Sequence, residues 1–293
     1  MMTRRSLLAL VHAASAEPAS DPAGALLNHF YATVDSSTYA AIEANVFLRE
    51  QFAPFEKRTT IRNDSTYSGL YFYGTQTYFE FFEENKGDRK PGDAGVAIGL
   101  ESPGSSDLLR AQWQKLQPSL TTMITRLLDG SPIDWFQMTS FEETRAKSVV
   151  EGLRLFSMEY APGFAKSWNP SAPRSIEQKA ILAAYCAKLQ LSKLRETAML
   201  DNVRHLEIEA PEPGIRLRSA QLEAAGWRLR PKRGSILCTG ANASVLFRFA
   251  AKPLGVSRIE FQLKRSVPVQ TLRIGSTTLE IQRSARATWR LRS

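Results

Sequence analysis

The sequence predicts an α+β chain of repeated β-α-β-β-β modules, the first two paired into a curved mixed sheet, with a further C-terminal α+β module. Three observations carry this. A strand, a helix and three strands follow one another over about residues 26–83, the order returns in looser form over 95–160, and a strand and helix begin again at 203.

Leu26 to Val34 alternates as a strand does, after the turn-rich Asp21-Pro22-Ala23-Gly24. Asp35-Ser36-Ser37 then caps a helix from about Thr38 to Phe52, with Tyr39, Ile42, Val46 and Phe47 on one face. Strands Thr59–Arg62, Ser68–Tyr73 and Thr77–Glu83 follow, divided by Asn63-Asp64-Ser65 and Gly74-Thr75-Gln76 turns. After a charged loop, 84–92, the second copy reads as strand Gly95–Leu100, turn Pro103-Gly104-Ser105-Ser106 and a helix from about Asp107 to Leu116 that resumes after Pro118. Strands Trp135–Phe141 and Leu153–Tyr160 complete it. Residues 176–200 read as a connector, mostly one amphipathic helix carrying Ile181, Leu182, Tyr185, Leu189 and Leu194.

The last ninety residues begin with strand Val203–Ala210 and a helix from about Ile215 to Ala225, which Gly226 ends. Strands near Trp227–Arg230, Ser235–Thr239, Ser244–Phe249, Ser257–Lys264, Gln270–Ile274 and Thr277–Ile281 follow. They read as a third copy or as a small strand-rich domain. The organisation expected is therefore paired modules over 24–175, the connector over 176–200 and a basic α+β module over 201–293.

Composition bounds the function classes. Hydrophobic residues at 43% and charged residues at 23% are near the globular average and exclude disorder as the default state. The net charge of +9 is C-terminal: residues 201–293 hold 17 Lys+Arg, fourteen of them Arg, against 7 Asp+Glu, while residues 1–200 hold 21 against 22. Such a surface suits an acidic partner or an anionic surface, or is simply a solvated basic face. Nucleic acid is disfavoured because no reader motif interleaves the cations. No segment has the roughly 18 apolar residues of a spanning helix. Met1-Met2-Thr3-Arg4-Arg5, a short apolar stretch and Ala14-Ser15-Ala16 read as a signal peptide over about residues 1–20 and imply export to the periplasm, with a cytoplasmic tail as the alternative. Thr3-Arg4-Arg5-Ser6-Leu7-Leu8 also resembles a twin-arginine export motif, though His12 interrupts the apolar stretch. Cys186 and Cys238 read as separate buried thiols. Phosphate loops, His-Glu-x-x-His spacing and nucleophile elbows are all missing from the sequence, which argues against nucleotide-dependent chemistry and serine hydrolysis.

Strand periodicity places His29 with Leu27, Tyr31 and Thr33, and Glu80 with Tyr78 and Phe82. A carboxylate on so apolar a strand asks for a metal, a cation or hydrogen-bond donors. Glu159 raises the same question at the end of the second copy, and the three residues together make a candidate cage. Each has a plainer reading: a satisfied core histidine for His29, pairing with Arg58 or Arg62 for Glu80, surface exposure for Glu159. The rings of Tyr67, Tyr71, Phe72, Tyr73, Tyr78, Phe79, Phe81 and Phe82 are core packing or the wall of a pocket. A fainter echo pairs His205 with Glu280 in the C-terminal part.

Leu27-Asn28-His29-Phe30-Tyr31-Ala32-Thr33-Val34-Asp35, the helix after it, Gly69-Leu70-Tyr71-Phe72-Tyr73-Gly74 and Thr77-Tyr78-Phe79-Glu80-Phe81-Phe82 resemble the first module of glyoxalase-like, vicinal-oxygen-chelate proteins. More narrowly, Phe55-Glu56-Lys57-Arg58-Thr59-Thr60 with Gly69–Phe82 is similar to an uncharacterised bacterial family known only as a domain of unknown function. The resemblance covers about residues 26–170. It implies two modules closed around a divalent metal (Fe, Mn, Ni or Zn), with His29, Glu80 and Glu159 as metal ligands, Glu159 as the mobile catalytic base, and lyase, isomerase or dioxygenase chemistry on a small molecule. The fourth ligand position falls near Gly95, which has no donor atom. A non-catalytic binding or interaction protein on the same fold is the alternative.

Overall fold

The computed structural model describes residues 25–142, 152–169, 171–172 and 174–291. The leader read as an export signal lies outside them. The first module is β1 (Leu26–Val34), α1 (Ser36–Ala44), β2 (Phe55–Ile61), β3 (Thr66–Tyr73) and β4 (Tyr78–Glu83). The second is β5 (Ala94–Gly99), α2 (Ser105–Trp113), β6 (Ser119–Leu128), β7 (Ser131–Phe141) and β8 (Leu153–Tyr160). After α3 (Gln178–Lys188) and α4 (Ser192–Thr197) come β9 (Leu200–Ala210), α5 (Glu212–Ala224), β10 (Arg228–Lys232), β11 (Ser235–Thr239) and β12 (Ser244–Phe249). Four strands close the chain: β13 (Gly255–Leu263), β14 (Gln270–Ile274), β15 (Thr277–Gln282) and β16 (Arg286–Arg290).

These form two eight-stranded sheets of the same design. The first runs β2-β3-β4-β1-β5-β8-β7-β6 and the second β10-β11-β12-β9-β13-β16-β15-β14. In each, the opening strand lies parallel to the last strand of its own module and antiparallel to the opening strand of the next. This is the α+β arrangement of paired β-α-β-β-β modules that the resemblance implies. The C-terminal third copy is present, and β13–β16 add a fourth strand set that reaches β14 without a helix.

Local chemistry explains where the elements depart from expectation. The first helix ends at Ala44, because Asn45 turns extended and its Oδ1 accepts from the Leu48 amide at 3.0 Å, starting a separate π-helical turn, Leu48–Phe52. Its start is as read, with Asp35 Oδ1 accepting from the Thr38 amide at 2.8 Å. The helical segment expected after Pro118 is instead β6, paired with β7 over ten residues; Thr121, Thr122, Ile124 and Thr125 favour the pleat over the helix. The connector breaks at Gln190, whose φ of 60° ends α3. β16, Arg286-Ala287-Thr288-Trp289-Arg290, carries too much charge to announce itself as a strand.

The two sheets bury their inner faces against one another in one continuous core. Phe30, Phe79, Phe81 and Val96 of the first sheet share it with Leu206, Ile208, Phe247, Phe261 and Trp289 of the second. Ring centroids of Phe79 and Phe261 lie 5.3 Å apart, and those of Phe81 and Trp289 5.1 Å, distances at which aromatic pairs add to simple burial. Cys186 and Cys238 are free and buried. No helix among the described residues is long and apolar enough to cross a membrane.

The outer faces differ. The first sheet curls until its two outermost strands meet: Arg62 bridges to Arg126, the Asn63 amide donates to Thr125 O at 3.2 Å, and Asn63 Nδ2 donates to Met123 O at 3.1 Å. That closure makes a cup. The second sheet stays open between β10, Arg228-Leu229-Arg230-Pro231-Lys232, and β14.

Candidate functional site

Alternation on β1 and β4 sends Phe30, Ala32, Phe79 and Phe81 into the shared core and His29, Tyr31, Tyr78, Glu80 and Phe82 into the cup. A β-bulge at Asn28 precedes His29 and sets its aim. The cavity measures about 780 Å³, and Trp135, Phe136, Phe156 and Met158 from β7 and β8 form its opposite wall. At the Tyr78 end it is plugged by α3, where Tyr185 packs on Tyr73 with centroids 5.4 Å apart. Arg58 holds this plug by bonding Tyr185 Oη and Glu56 and by lying 4.0 Å over the Tyr71 ring.

His29 is buried and stacked on Tyr78 at 4.4 Å. Asn28 Oδ1, an acceptor, lies 2.9 Å from His29 Nδ1, so Nδ1 carries the proton and the Nε2 lone pair faces Glu80 Oε1 at 3.7 Å. Burial, helped by the charge of Arg62, lowers the imidazole pKa to about 3, so the ring is neutral at any ordinary pH. Burial raises the Glu80 carboxyl to about 7 against the opposing pull of Arg58, Arg89 and Arg62. Neither arginine expected to pair with Glu80 does so: Arg58 engages Glu56 at 3.2 Å and Arg62 engages Asp64 at 2.6 Å.

The structure brings His29 and Glu80 together and keeps Glu159 apart. Glu159 lies on the other face of its strand, where Oε1 accepts from the Gly104 amide at 2.8 Å and Oε2 from the Ser106 amide at 2.7 Å. It caps the start of α2. On β8, Arg154, Phe156 and Met158 alternate into the cup, Leu155 of the core side also touches its lining, and Glu159 is not part of it. The fourth position, Gly95, is filled from outside: a Cβ there would stand 2.1 Å from Cε1 of the Tyr31 ring. Gly95→Ala is therefore expected to cost about 1–3 kcal/mol of stability through overpacking, read as a lower urea midpoint at unchanged m-value. The weaker echo separates as well, since His205 on β9 lies opposite Ser244 whereas Glu280 on β15 pairs with Arg290.

The divalent metal that the resemblance implies does not fit this donor set. Glu159 is consumed by backbone amides, Tyr31 occupies the glycine position, and one neutral imidazole with one carboxyl remains. Among the described residues no group of three or more His, Cys, Asp or Glu is arranged to hold a metal ion.

What the sequence did not single out is Arg89. It sits in the charged loop between β4 and β5, and its guanidinium lies 4.1 Å from the Phe82 centroid and 4.6 Å from that of Tyr31. No carboxylate pairs with it among the described residues. Nothing in Lys86-Gly87-Asp88-Arg89 announces this, because the loop's path over the cup is a tertiary fact.

A family model described as "Family of unknown function (DUF5829)" matches residues 27–291. No curated protein matches the chain. Among solved structures, a hypothetical protein from Staphylococcus aureus superposes with a TM-score of 0.51 at 6% identity, covering 88% of this chain and 98% of that one, a likeness of fold alone. A xylose isomerase-like TIM barrel/4-hydroxyphenylpyruvate dioxygenase fusion protein gives 0.41 at 8% identity over 83% of this chain and 37% of its own. BphC, a halotolerant catechol dioxygenase, gives 0.38 at 9% identity over 87% and 82%.

Proposed function

Since the chain belongs to this family of unknown function, its cup is the guide to its role, and we propose that the protein binds, without a metal, a small planar molecule carrying one acidic group. The observation that carries this is Arg89, a cation held over two rings of the cavity wall with no carboxylate partner among the described residues. A guanidinium so placed presents N–H edges to a carboxylate or phenolate while its face stays on the rings. Glu80 lies two residues before Phe82 on the same strand face, roughly 7 Å away along the strand at about 3.3 Å per residue. A single substituted ring fills that span. Its acidic group meets Arg89 and its body lies among Tyr31, Tyr67 and Phe156. A hydroxyl at its far end donates to the His29 Nε2 lone pair and accepts from the protonated Glu80 carboxyl. Aromatic walls with a few convergent polar groups are the usual make-up of a small-ligand site.

The test uses the fluorescence of Trp135, which lines the cup. Titrating the full chain with 4-hydroxybenzoate in the presence of EDTA should quench emission saturably, and the response should shrink in Trp135→Phe. Arg89→Ala should raise the Kd about tenfold, the equivalent of about 1.4 kcal/mol, and 4-hydroxybenzamide should bind correspondingly weakly. Binding that needs added metal, or that is indifferent to Arg89, would refute the reading.

A further inference from the structure

We propose a second binding site, on the open outer face of the second sheet, for a small polyhydroxylated phosphate monoester. It goes beyond the reading above and shares no residue with it. A cavity of about 530 Å³ lies there, and its lining is polar where the first cup is aromatic.

The repeat explains how the site arises. His205 on β9 stands opposite Ser244 as His29 stands opposite Tyr78, and each histidine follows a bulge, at Arg204 and at Asn28. The bulge lets Arg204 and His205 both reach the cavity, against the strict alternation of a strand. Where Tyr78 stacks on His29, Ser244 Oγ bonds His205 Nδ1 at 2.8 Å and leaves the space open.

Charge accounting then selects the ligand. Glu207 binds Arg248 at 2.9 Å and Arg258 at 3.3 Å, and Arg258 binds Glu260 at 2.5 Å, so two arginines and two carboxylates neutralise one another. Two cations of the lining are left over. Arg204 donates to the carbonyl of Asn242 at 3.4 Å, and Arg286 pairs with no carboxylate among the described residues. A dianion matches this surplus, and guanidinium forks match phosphate oxygens.

The neighbours of Arg286 supply the rest. In register it lies between Gln262 and Gln282. Gln262 Nε2 already donates to Leu263 O and Ala285 O at 3.1 Å, and Gln282 Nε2 to Thr288 Oγ1 at 3.4 Å. The amide carbonyls of both glutamines and the carboxylate of Glu260 thus stand as acceptors beside the cations, suited to hydroxyl groups on the body of the ester. Phe261 and Ala287 are the apolar members of the lining, so an apolar body has little to pack on here.

Calorimetry on the full chain with glucose 6-phosphate, glucose and inorganic phosphate tests the proposal. The ester should bind at least about tenfold tighter than either part, and Arg286→Gln and Gln282→Ala should each weaken it severalfold. Arg89→Ala should leave it unchanged, while that variant binds 4-hydroxybenzoate about tenfold more weakly. Absence of binding at millimolar ester, or an affinity untouched by both substitutions, overturns the site. Phosphate binding as tightly as the ester overturns the polyol half of the assignment. Either result leaves the first cup to stand or fall on its own titration.

Discussion

Replacing Glu80 by Gln will make the protein more stable than the parent at pH 8 by about 3 kcal/mol relative to any difference between them near pH 4. The carboxyl is buried and its pKa rises from 4.5 to about 7, so the folded state holds a proton that the unfolded chain has released. A group raised in this way contributes its full stability below the unfolded value and loses it as pH climbs through the folded one. Each unit is worth about 1.36 kcal/mol. His29 acts with the opposite sign: its pKa falls to about 3, so it adds stability as pH rises from about 3 to 6.5. The parent should therefore be nearly flat between pH 4.5 and 6.5, where the two slopes cancel, and Glu80→Gln should instead gain stability across that window. Urea unfolding at pH 4, 5.5 and 8 reads all three regions. A mutational difference independent of pH would mean that Glu80 is ionised in the fold and that the cup is wetter than its burial implies.

Glu159→Ala is expected to cost about 3 kcal/mol and to leave 4-hydroxybenzoate binding unchanged. The substitution strips the acceptors from the Gly104 and Ser106 amides, in a part-buried and a buried bond. An unsatisfied buried donor costs about 1–3 kcal/mol. Glu159→Gln, which keeps one acceptor oxygen, should lose about half as much. The pairing of readouts matters, since a ligand-contacting Glu159 would show the reverse: weakened binding with stability nearly intact.

The contrast between Glu80 and Glu159 marks how far the sequence could be read. Most strands were legible because runs such as Leu26–Val34, read as alternating, and the aromatic Tyr78–Glu83 are short and bounded by turn residues, and the modular order followed from them. His29 and Glu80 came out on one face for the same reason. Glu159, chosen for its place at the end of the second copy, lies one residue off that face: on β8 Arg154, Phe156 and Met158 alternate into the cup, and a step of one residue moves a side chain to the opposite face. The alternation of Leu153, Leu155 and Ser157 with those residues, carried one step on, puts Glu159 with the core side. β6 was misread because Ser119–Leu128 has length and apolar content enough for either structure, and only its β-branched residues argue for a strand. Arg89 was out of reach, because its position depends on where a loop crosses two rings contributed by different strands.

The joined ends of the first sheet have a counterpart in the second. Where Arg62 meets Arg126, the outer strands β2 and β6 are tied together, and there they offer a second molecule no unpaired backbone. Among the described residues the second sheet has no such closure, and its terminal strand β10 exposes Arg228, Arg230 and Lys232 beside Pro231, which has no amide hydrogen to give. Like charges along an edge, with a donor removed from it, keep two copies from zipping together into a longer sheet. Part of the arginine surplus of the C-terminal half thus acts as a guard against aggregation, useful to the chain whether or not any partner meets it.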